Sequence, residues 1–358
     1  MRVLIAAGGT GGHIYPGIAV AQEVIQRDPA NEIRFVGAAQ GLEKRLVPQA
    51  GFELSLIESA GLKNVGFAGK IRGLLLLPKS FLAARRILRD FKPDVVVGAG
   101  GYVSGPVLLT AWMMRIPTLV MDSNALPGFT NRRLARFVDR AALTFDESLK
   151  YFPGTGVVTG NPVRLAFFEV KTKERSGESF SVLIFGGSQG ARGINRAVVA
   201  ALPALVPIKN SLQVTHQTGE SDFAEATKGY ADAGWDPSSV CRYIDDMVTA
   251  FGRADLIICR AGATTCAEIA AAGKAAIMIP LPTAADDHQR KNAEALVQAG
   301  AARMILQPEL TGDGLAAQLL ELAQTPGLIM EMETASRKLA RPRAANDIVD
   351  LIEQLADR

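Results

Sequence analysis

Short apolar runs that break off at glycine, with helix-length segments between them, recur along almost the whole of this 358-residue chain. Residues 3–7 run into Gly8-Gly9-Thr10-Gly11-Gly12, residues 95–97 into Gly98-Ala99-Gly100-Gly101, residues 182–185 into Gly186-Gly187-Ser188-Gln189-Gly190, and residues 256–259 into Arg260-Ala261-Gly262. The runs are continuous rather than alternating, so each strand must be buried on both faces. That is the pattern of a parallel sheet layered between helices. The fold class expected is therefore α/β, built from doubly wound parallel sheets. The arrangement is also doubled: one strand, glycine loop and helix open the chain at Gly8, and another set opens at Gly186. At roughly 150 residues per domain the length suits two such Rossmann-like domains with a cleft between them. Residues 171–179 are polar and poor in strand formers, which makes them the expected linker. Near the end, Ile348, Leu351, Ile352 and Leu355 are spaced as the apolar face of a helix.

Composition narrows the class. Hydrophobic residues are 48% and charged residues 21%, enough to bury a sizeable core and too apolar for disorder. Three cysteines and three histidines, with no CxxC pair, argue against a disulfide scaffold or a zinc site. No apolar run reaches the ~18–20 residues a bilayer span needs, and the apolar opening is too short for a signal peptide. A soluble protein of a reducing, cytoplasmic compartment is expected. Net charge is +3, but residues 1–160 carry 19 basic against 12 acidic side chains. The surplus concentrates in residues 67–93, where Lys70, Arg72, Lys79, Arg85, Arg86, Arg89 and Lys92 face Asp90 alone. Ile71, Leu74, Leu75, Leu76, Leu77, Phe81 and Leu82 are interleaved with them. Two readings stand: an interfacial element on anionic lipid, or an ordinary amphipathic surface helix. Nucleic acid is disfavoured, because aromatics are only 6% and no RNA- or DNA-binding module is visible.

A glycine turn after a strand lets backbone N–H groups close on a phosphate, and the following helix adds the positive end of its dipole. Several such loops in one chain point to a nucleotide or diphosphate. None matches GxxxxGK[ST] and none matches GxGxxG cleanly. No acidic residue ends the second strand at Phe35-Val36-Gly37, so ATPase and dinucleotide readings are both disfavoured. The segment Gly262 to Glu268 starts a helix at a strand end, where Glu268 could accept two ribose hydroxyls or simply complement the dipole. His13 opens the first helix and is open to three readings: general base, phosphate ligand or structural residue. Asp122 and Asn124 follow the strand at 117–121. Asp245 and Asp246 read as helix capping. Asp286, Asp287 and His288 lack a partner cluster for a metal, which leaves Gln289 to contact a ligand. His216 is expected in or beside a strand, without chemistry.

Five segments, in order, resemble the MurG family of peptidoglycan glycosyltransferases: Gly8-Gly9-Thr10-Gly11-Gly12-His13-Ile14-Tyr15-Pro16-Gly17, Gly100-Gly101-Tyr102-Val103-Ser104-Gly105-Pro106, Gly160-Asn161-Pro162-Val163-Arg164, Gly186-Gly187-Ser188-Gln189-Gly190-Ala191 and Ile244-Asp245-Asp246-Met247. The resemblance spans nearly the whole chain. It implies the GT-B fold, with domains at 1–162 (acceptor and membrane side), 163–340 (donor) and a C-terminal helix at 341–358 packing back on the first. It implies an inverting transfer of N-acetylglucosamine from UDP-N-acetylglucosamine to the C4 hydroxyl of the muramoyl sugar of lipid I, giving lipid II. It implies peripheral attachment to the cytoplasmic face of the inner membrane, with a role in cell-wall biogenesis, cell shape and division. The partners implied are UDP-N-acetylglucosamine, lipid I, an anionic membrane surface at 67–93 and other cell-wall synthesis proteins. No cofactor or metal is implied, and no DxD-type ligand set is present.

Carried over by position, the donor contacts are Thr10, Gly11, Gly12, Asn124, Arg164, Ser188, Ile244, Ala263, Thr264, Thr265, Cys266, Ala267, Glu268 and Gln289. Ile244 meets the uracil edge through its backbone, Glu268 holds the ribose, and Ser188 with the helix start at 263–265 holds the diphosphate. The acceptor lies at Gly100, Gly101 and Tyr102, near His13. One departure matters. The family commonly has His-Glu-Gln-Asn where this chain has Met121-Asp122-Ser123-Asn124. Met121 cannot accept a proton, so the catalytic role moves to His13, aided by Asp122. Two rivals remain: a UDP-sugar epimerase, which needs no acceptor, and a two-lobe binding protein that turns nothing over.

Overall fold

All strand pairs in the computed structural model are parallel. It describes residues 1–9, 11–39, 41–58, 67–171, 173, 179–187 and 189–357, without the side chains of 67–76 and 285. The chain divides into two units, one of residues 1–163 with 341–358, the other of residues 164–340.

In the first unit the strands are β1 (Arg2–Ala7), β2 (Glu32–Ala38), β3 (Glu53–Ile57), β4 (Val95–Gly100), β5 (Thr118–Asp122), β6 (Arg140–Leu143) and β7 (Gly156–Val158). Its helices are α1 (Gly11–Arg27), α2 (Glu43–Gln49), α3 (Phe67–Phe91), α4 (Ser104–Met113) and α5 (Phe129–Leu134). The second unit holds strands β8 (Phe180–Phe185), β9 (Leu212–Gln217), β10 (Val240–Cys241), β11 (Leu256–Cys259), β12 (Ala275–Met278) and β13 (Ala302–Met304). Its helices are α6 (Arg192–Ala201), α7 (Phe223–Asp232), α8 (Met247–Arg253), α9 (Ala263–Ala272), α10 (His288–Gln298), α11 (Gly312–Gln324) and α12 (Pro326–Lys338). The last helix, α13 (Ala344–Ala356), belongs to the first unit.

Each sheet is wound outward from its first strand. The orders are β3-β2-β1-β4-β5-β6-β7 and β10-β9-β8-β11-β12-β13. In each, the winding reverses between the first strand and the fourth, at β1/β4 and at β8/β11. Loops diverge there, and the carboxyl ends of the two strands leave a crevice for a ligand. The unalternating runs are explained by burial on both faces. Val3 and Ile5 pack in one core with α1 and α13, while Leu4 and Ala6 pack in another with α3 and α4. GT-B architecture, two Rossmann-like units in one chain, is thus the fold.

The structure corrects the linker expected at 171–179. The boundary falls earlier, between Val163 and Arg164, because the residues beyond it are already tied into the second unit. Phe167 is fully buried and meets Phe251 edge-on at 5.1 Å. Lys173 Nζ reaches Asp255 Oδ2 at 2.7 Å and Ser181 Oγ at 2.9 Å, at the foot of β8 and β11. Residues 172 and 174–178 lie outside the described residues. The C-terminal apolar face is a helix face: Ile348, Ile352 and Leu355 join the core of α1. Arg27 of α1 pairs with Glu353 and Asp350, each at 2.7 Å.

Candidate active site

The first unit brings its glycine loops together at β1/β4. Gly8 N–H donates to Gly100 O at 3.3 Å. Gly101 (φ +85°) passes so close to Gly8 that a Cβ there would overlap the Gly8 carbonyl. His13, in the first turn of α1, holds Nδ1 3.2 Å from Gly8 O. Its ring fills the space over Gly100, where a Cβ would collide with it. The Ser104 hydroxyl shares its single proton between Gly100 O and Ala6 O and accepts from Gly100 N–H, so it ties β1, β4 and the loop together. Tyr102 is half exposed beside this knot. Gly11 and Gly12 are the first residues of α1, whose opening N–H groups have no intrahelical acceptor. Thr10 lies outside the described residues.

Asp122 is buried at the end of β5. One oxygen accepts from Asn124 N–H at 3.0 Å; the other accepts from Gly128 N–H at 2.9 Å and Asn131 Nδ2 at 2.8 Å. Burial raises its carboxyl above the usual range, while these three donors and the charge field of His13 pull it down. Asp122 therefore shapes the loop carrying Asn124, and it is electrostatically coupled to His13. Asn124 is anchored in turn, its carbonyl accepting from Ser148 Oγ at 3.0 Å.

In the second unit, α9 begins directly after β11, at the switch point beside the loop that follows β8. Gly190 (φ +74°) packs against the Thr218 carbonyl with no room for a side chain. Gly262 precedes α9 as its N-cap, in extended backbone. The Thr264 hydroxyl is buried with no hydrogen-bond partner among the described residues, which is the state of a group that a ligand oxygen completes. Glu268 lies a turn further along. Desolvation pushes its carboxyl up to about 7, against the pull of Arg164, whose guanidinium is 3.9 Å away. Arg164 also lies over the Phe167 ring at 4.9 Å. Ser188 lies outside the described residues.

Three expected contacts are altered by what their groups already do. Cys266 is buried in the α9 core face, and its N–H donates to Gly262 O at 2.9 Å, so neither its side chain nor its amide is open to a donor. The free helix-start amides are those before it. Gln289 is not the unengaged side chain expected: its Oε1 accepts from Leu281 N–H at 3.0 Å, which leaves its amide N–H₂ for a ligand. Ile244 N–H donates to Gln217 Oε1 at 2.8 Å, so its carbonyl is the group left for a base edge. Asp246 does cap α8, accepting from Thr249 N–H at 3.1 Å; Asp245 is exposed.

Two residues that bear on these loops carry no motif signal. Gln217, buried at the end of β9, donates to Gly187 O at 2.9 Å and so joins the glycine loop to Ile244. Glu43, fully buried, accepts from Gly9 N–H at 3.2 Å and Ala38 N–H at 2.7 Å. Alternation and spacing say nothing of either, because Gln217 acts on Gly187 and Ile244, and Glu43 on Gly9, across 27 to 34 residues of chain. His216 is in β9 as expected and is fully buried, held between Asn195 at 3.1 Å and the Tyr230 hydroxyl at 3.3 Å. Among the described residues, no group of three or more His, Cys, Asp or Glu could hold a metal ion.

Residues 3–143 match the Glycosyltransferase family 28 N-terminal domain, and residues 181–353 the Glycosyltransferase family 28 C-terminal domain. A protein of Myxococcus xanthus (strain DK1622) is 49% identical over 357 residues, covering 99% of this chain and 93% of its own. It is named UDP-N-acetylglucosamine–N-acetylmuramyl-(pentapeptide) pyrophosphoryl-undecaprenol N-acetylglucosamine transferase. The crystal structure of Acinetobacter baumannii MurG superposes with a TM-score of 0.79 at 34% identity, covering 99% of each chain. A crystal structure of UDP-N-acetylglucosamine 2-epimerase superposes at 0.71 with 13% identity, covering 100% of this chain and 97% of its own, a likeness of fold alone.

Proposed function

This chain belongs to the MurG family of peptidoglycan glycosyltransferases, and from that premise we propose how its two glycine-loop faces serve the reaction. It is a UDP-N-acetylglucosamine-dependent N-acetylglucosaminyltransferase that converts lipid I to lipid II. The epimerase alternative rests on a 13% likeness and falls away.

The donor binds at the β8/β11 switch point. The carrying observation is the start of α9, which carries both the Thr264 hydroxyl, unpartnered among the described residues, and the carboxyl of Glu268, itself 3.9 Å from the Arg164 guanidinium. In this reading Ala263, Thr264 and Thr265 meet the diphosphate, Glu268 the ribose hydroxyls, and Arg164 stands by for negative charge. Ala267, one residue before Glu268 on α9, lines the same helix, Gln289 contributes its amide N–H₂, and Ile244 offers its carbonyl to uracil. The expected donor contacts Gly11, Gly12 and Asn124 lie in the first unit, and Thr10 and Ser188 lie outside the described residues.

The acceptor's C4 hydroxyl attacks the anomeric carbon from the face opposite UDP, so configuration inverts. Its proton passes to His13, whose imidazolium is stabilised by the field of Asp122. Charge grows on the departing diphosphate and is met by preorganised helix-start amides. The acceptor's own diphosphate sits at Gly100, Gly101 and Tyr102. Attachment to the cytoplasmic membrane face runs through residues 67–93. Leu82 is strongly exposed on α3, and Trp112, Met113 and Phe129 are exposed on the neighbouring α4 and α5. The side chains of 67–76, including Lys70, Arg72, Ile71 and Leu74 to Leu76, lie outside the described residues. Among the described residues no helix is long and apolar enough to cross a membrane.

Labelled UDP-N-acetylglucosamine incubated with a lipid I analogue tests the whole reading. Disaccharide product is expected only when both substrates are present. Turnover of donor alone, or binding without turnover, would refute it.

A further inference from the structure

The first glycine loop is already held by a side chain of the protein, whose carboxyl group accepts from the Gly9 N–H. Glu43, the first residue of α2, is completely buried at the carboxyl ends of β1 and β2. Its two oxygens accept separately, Oε2 from Gly9 N–H at 3.2 Å and Oε1 from Ala38 N–H at 2.7 Å. Glycines make the space. A Cβ at Gly8 would come within 2.9 Å of Oε1, and one at Gly37 or Gly41 would overlap the Glu43 side chain outright. Gly8 and Gly37 are thus needed partly because a carboxylate stands between them. In a dinucleotide-binding fold a phosphate approaches the first loop, and an acid from the second strand's end takes a ribose. Here α2 delivers an internal carboxylate to that same corner.

We propose that Glu43 is a positioning residue for the acceptor's diphosphate, a resident carboxyl group that pins the Gly9 amide and fixes the first glycine loop. The loop is knotted to the neighbouring one, Gly8 N–H to Gly100 O and His13 Nδ1 to Gly8 O. Holding Gly9 therefore also holds Gly100, Gly101 and His13. With Gly9 N–H taken, the substrate diphosphate is left to the opening amides of α1 and the loop at Gly100. The inference rests on the acceptor placement proposed above.

The test uses the full-length enzyme and steady-state kinetics with each substrate varied in turn. Glu43→Gln keeps the size but turns an amide N–H₂ toward one of the two N–H donors. It is expected to raise KM for a lipid I analogue about tenfold, the loss of one buried hydrogen bond to the loop. KM for UDP-N-acetylglucosamine should stay within about twofold. Glu43→Ala should show the same split, and acetate should lower its acceptor KM where chloride at equal ionic strength does not. If Glu43→Ala does not fold, the Gln variant carries the test alone. Equal rises in both KM values, or a loss confined to kcat, would overturn the proposal. Tyr102→Ala separates the premise from the inference. If it leaves the acceptor KM unchanged, the acceptor placement itself is wrong. If it raises that KM while Glu43→Gln does not, only the role of Glu43 fails.

Discussion

Glu268 shows how one side chain links function to stability. Its carboxyl titrates at about 7, raised by desolvation from an ordinary 4.5. A carboxyl raised on folding is harmless below 4.5, where it is protonated in both states; its destabilisation builds as pH climbs from 4.5 to about 7 and is fully present above that. Ribose recognition needs the ionised acceptor. Donor KM should therefore fall as pH rises from 6 to 8, and Glu268→Gln should abolish that dependence, as initial rates at varied UDP-N-acetylglucosamine would show. The same variant should be more stable at pH 8 by up to about 3 kcal/mol, measured by denaturant melts of the second unit. His216 has the opposite sign. Burial holds it down at about 4, so the stability it confers is complete above 6.5 and drains away as pH falls toward 4. His216→Gln should flatten the acid limb of the unfolding curve. For His13, replacement by Ala should lower turnover about 10²–10⁴-fold, the usual contribution of a general base, with UDP affinity nearly unchanged. Equal losses in both would make it a binding residue.

At the scale of elements, the strand-loop-helix corner is the functional unit. Gly190 and Gly101, within the loops after β8 and β4, combine positive φ with close backbone contact. Gly190→Ala should raise donor KM and Gly101→Ala acceptor KM, each by at least about tenfold, since backbone rather than a flexible side chain must move. Helices α3 to α5 carry a different property. Lys79, Arg85, Arg86 and Arg89 lie on the same helix as exposed Leu82. Leu82→Asp combined with Arg85→Glu and Arg89→Glu should weaken sedimentation with anionic vesicles, and added salt should weaken the unaltered protein in the same direction. Activity on a soluble acceptor should be untouched.

Across the whole molecule, α13 is the element that local reasoning places least securely. It returns across the chain to bury Ile348, Ile352 and Leu355 against α1, clasped by Arg27. Ile352→Ala should cost the first unit about 2–5 kcal/mol, visible as faster hydrogen exchange in α1 and β1 but not in β8 or β11. The amphipathic period of that helix was legible; its partner was a matter of packing. Much else was readable because it is local. Apolar runs buried on both faces declare parallel strands, glycines after them declare tight turns, and two such openings declare two units. His13, Glu268 and the glycines stand where strand-to-helix corners put them. The linker was misread because polarity at 171–179 says nothing of Phe167 burying itself against Phe251 or of Lys173 reaching Asp255. Cys266 and Gln289 needed coordinates too, since only neighbours reveal that an amide or an oxygen is already engaged. Glu43 and Gln217 are the clearest division between the two sources. Chain order and periodicity determine which strands and helices exist, through interactions a few residues long. Which buried side chain closes on which distant backbone amide is decided only when separate strands are brought edge to edge.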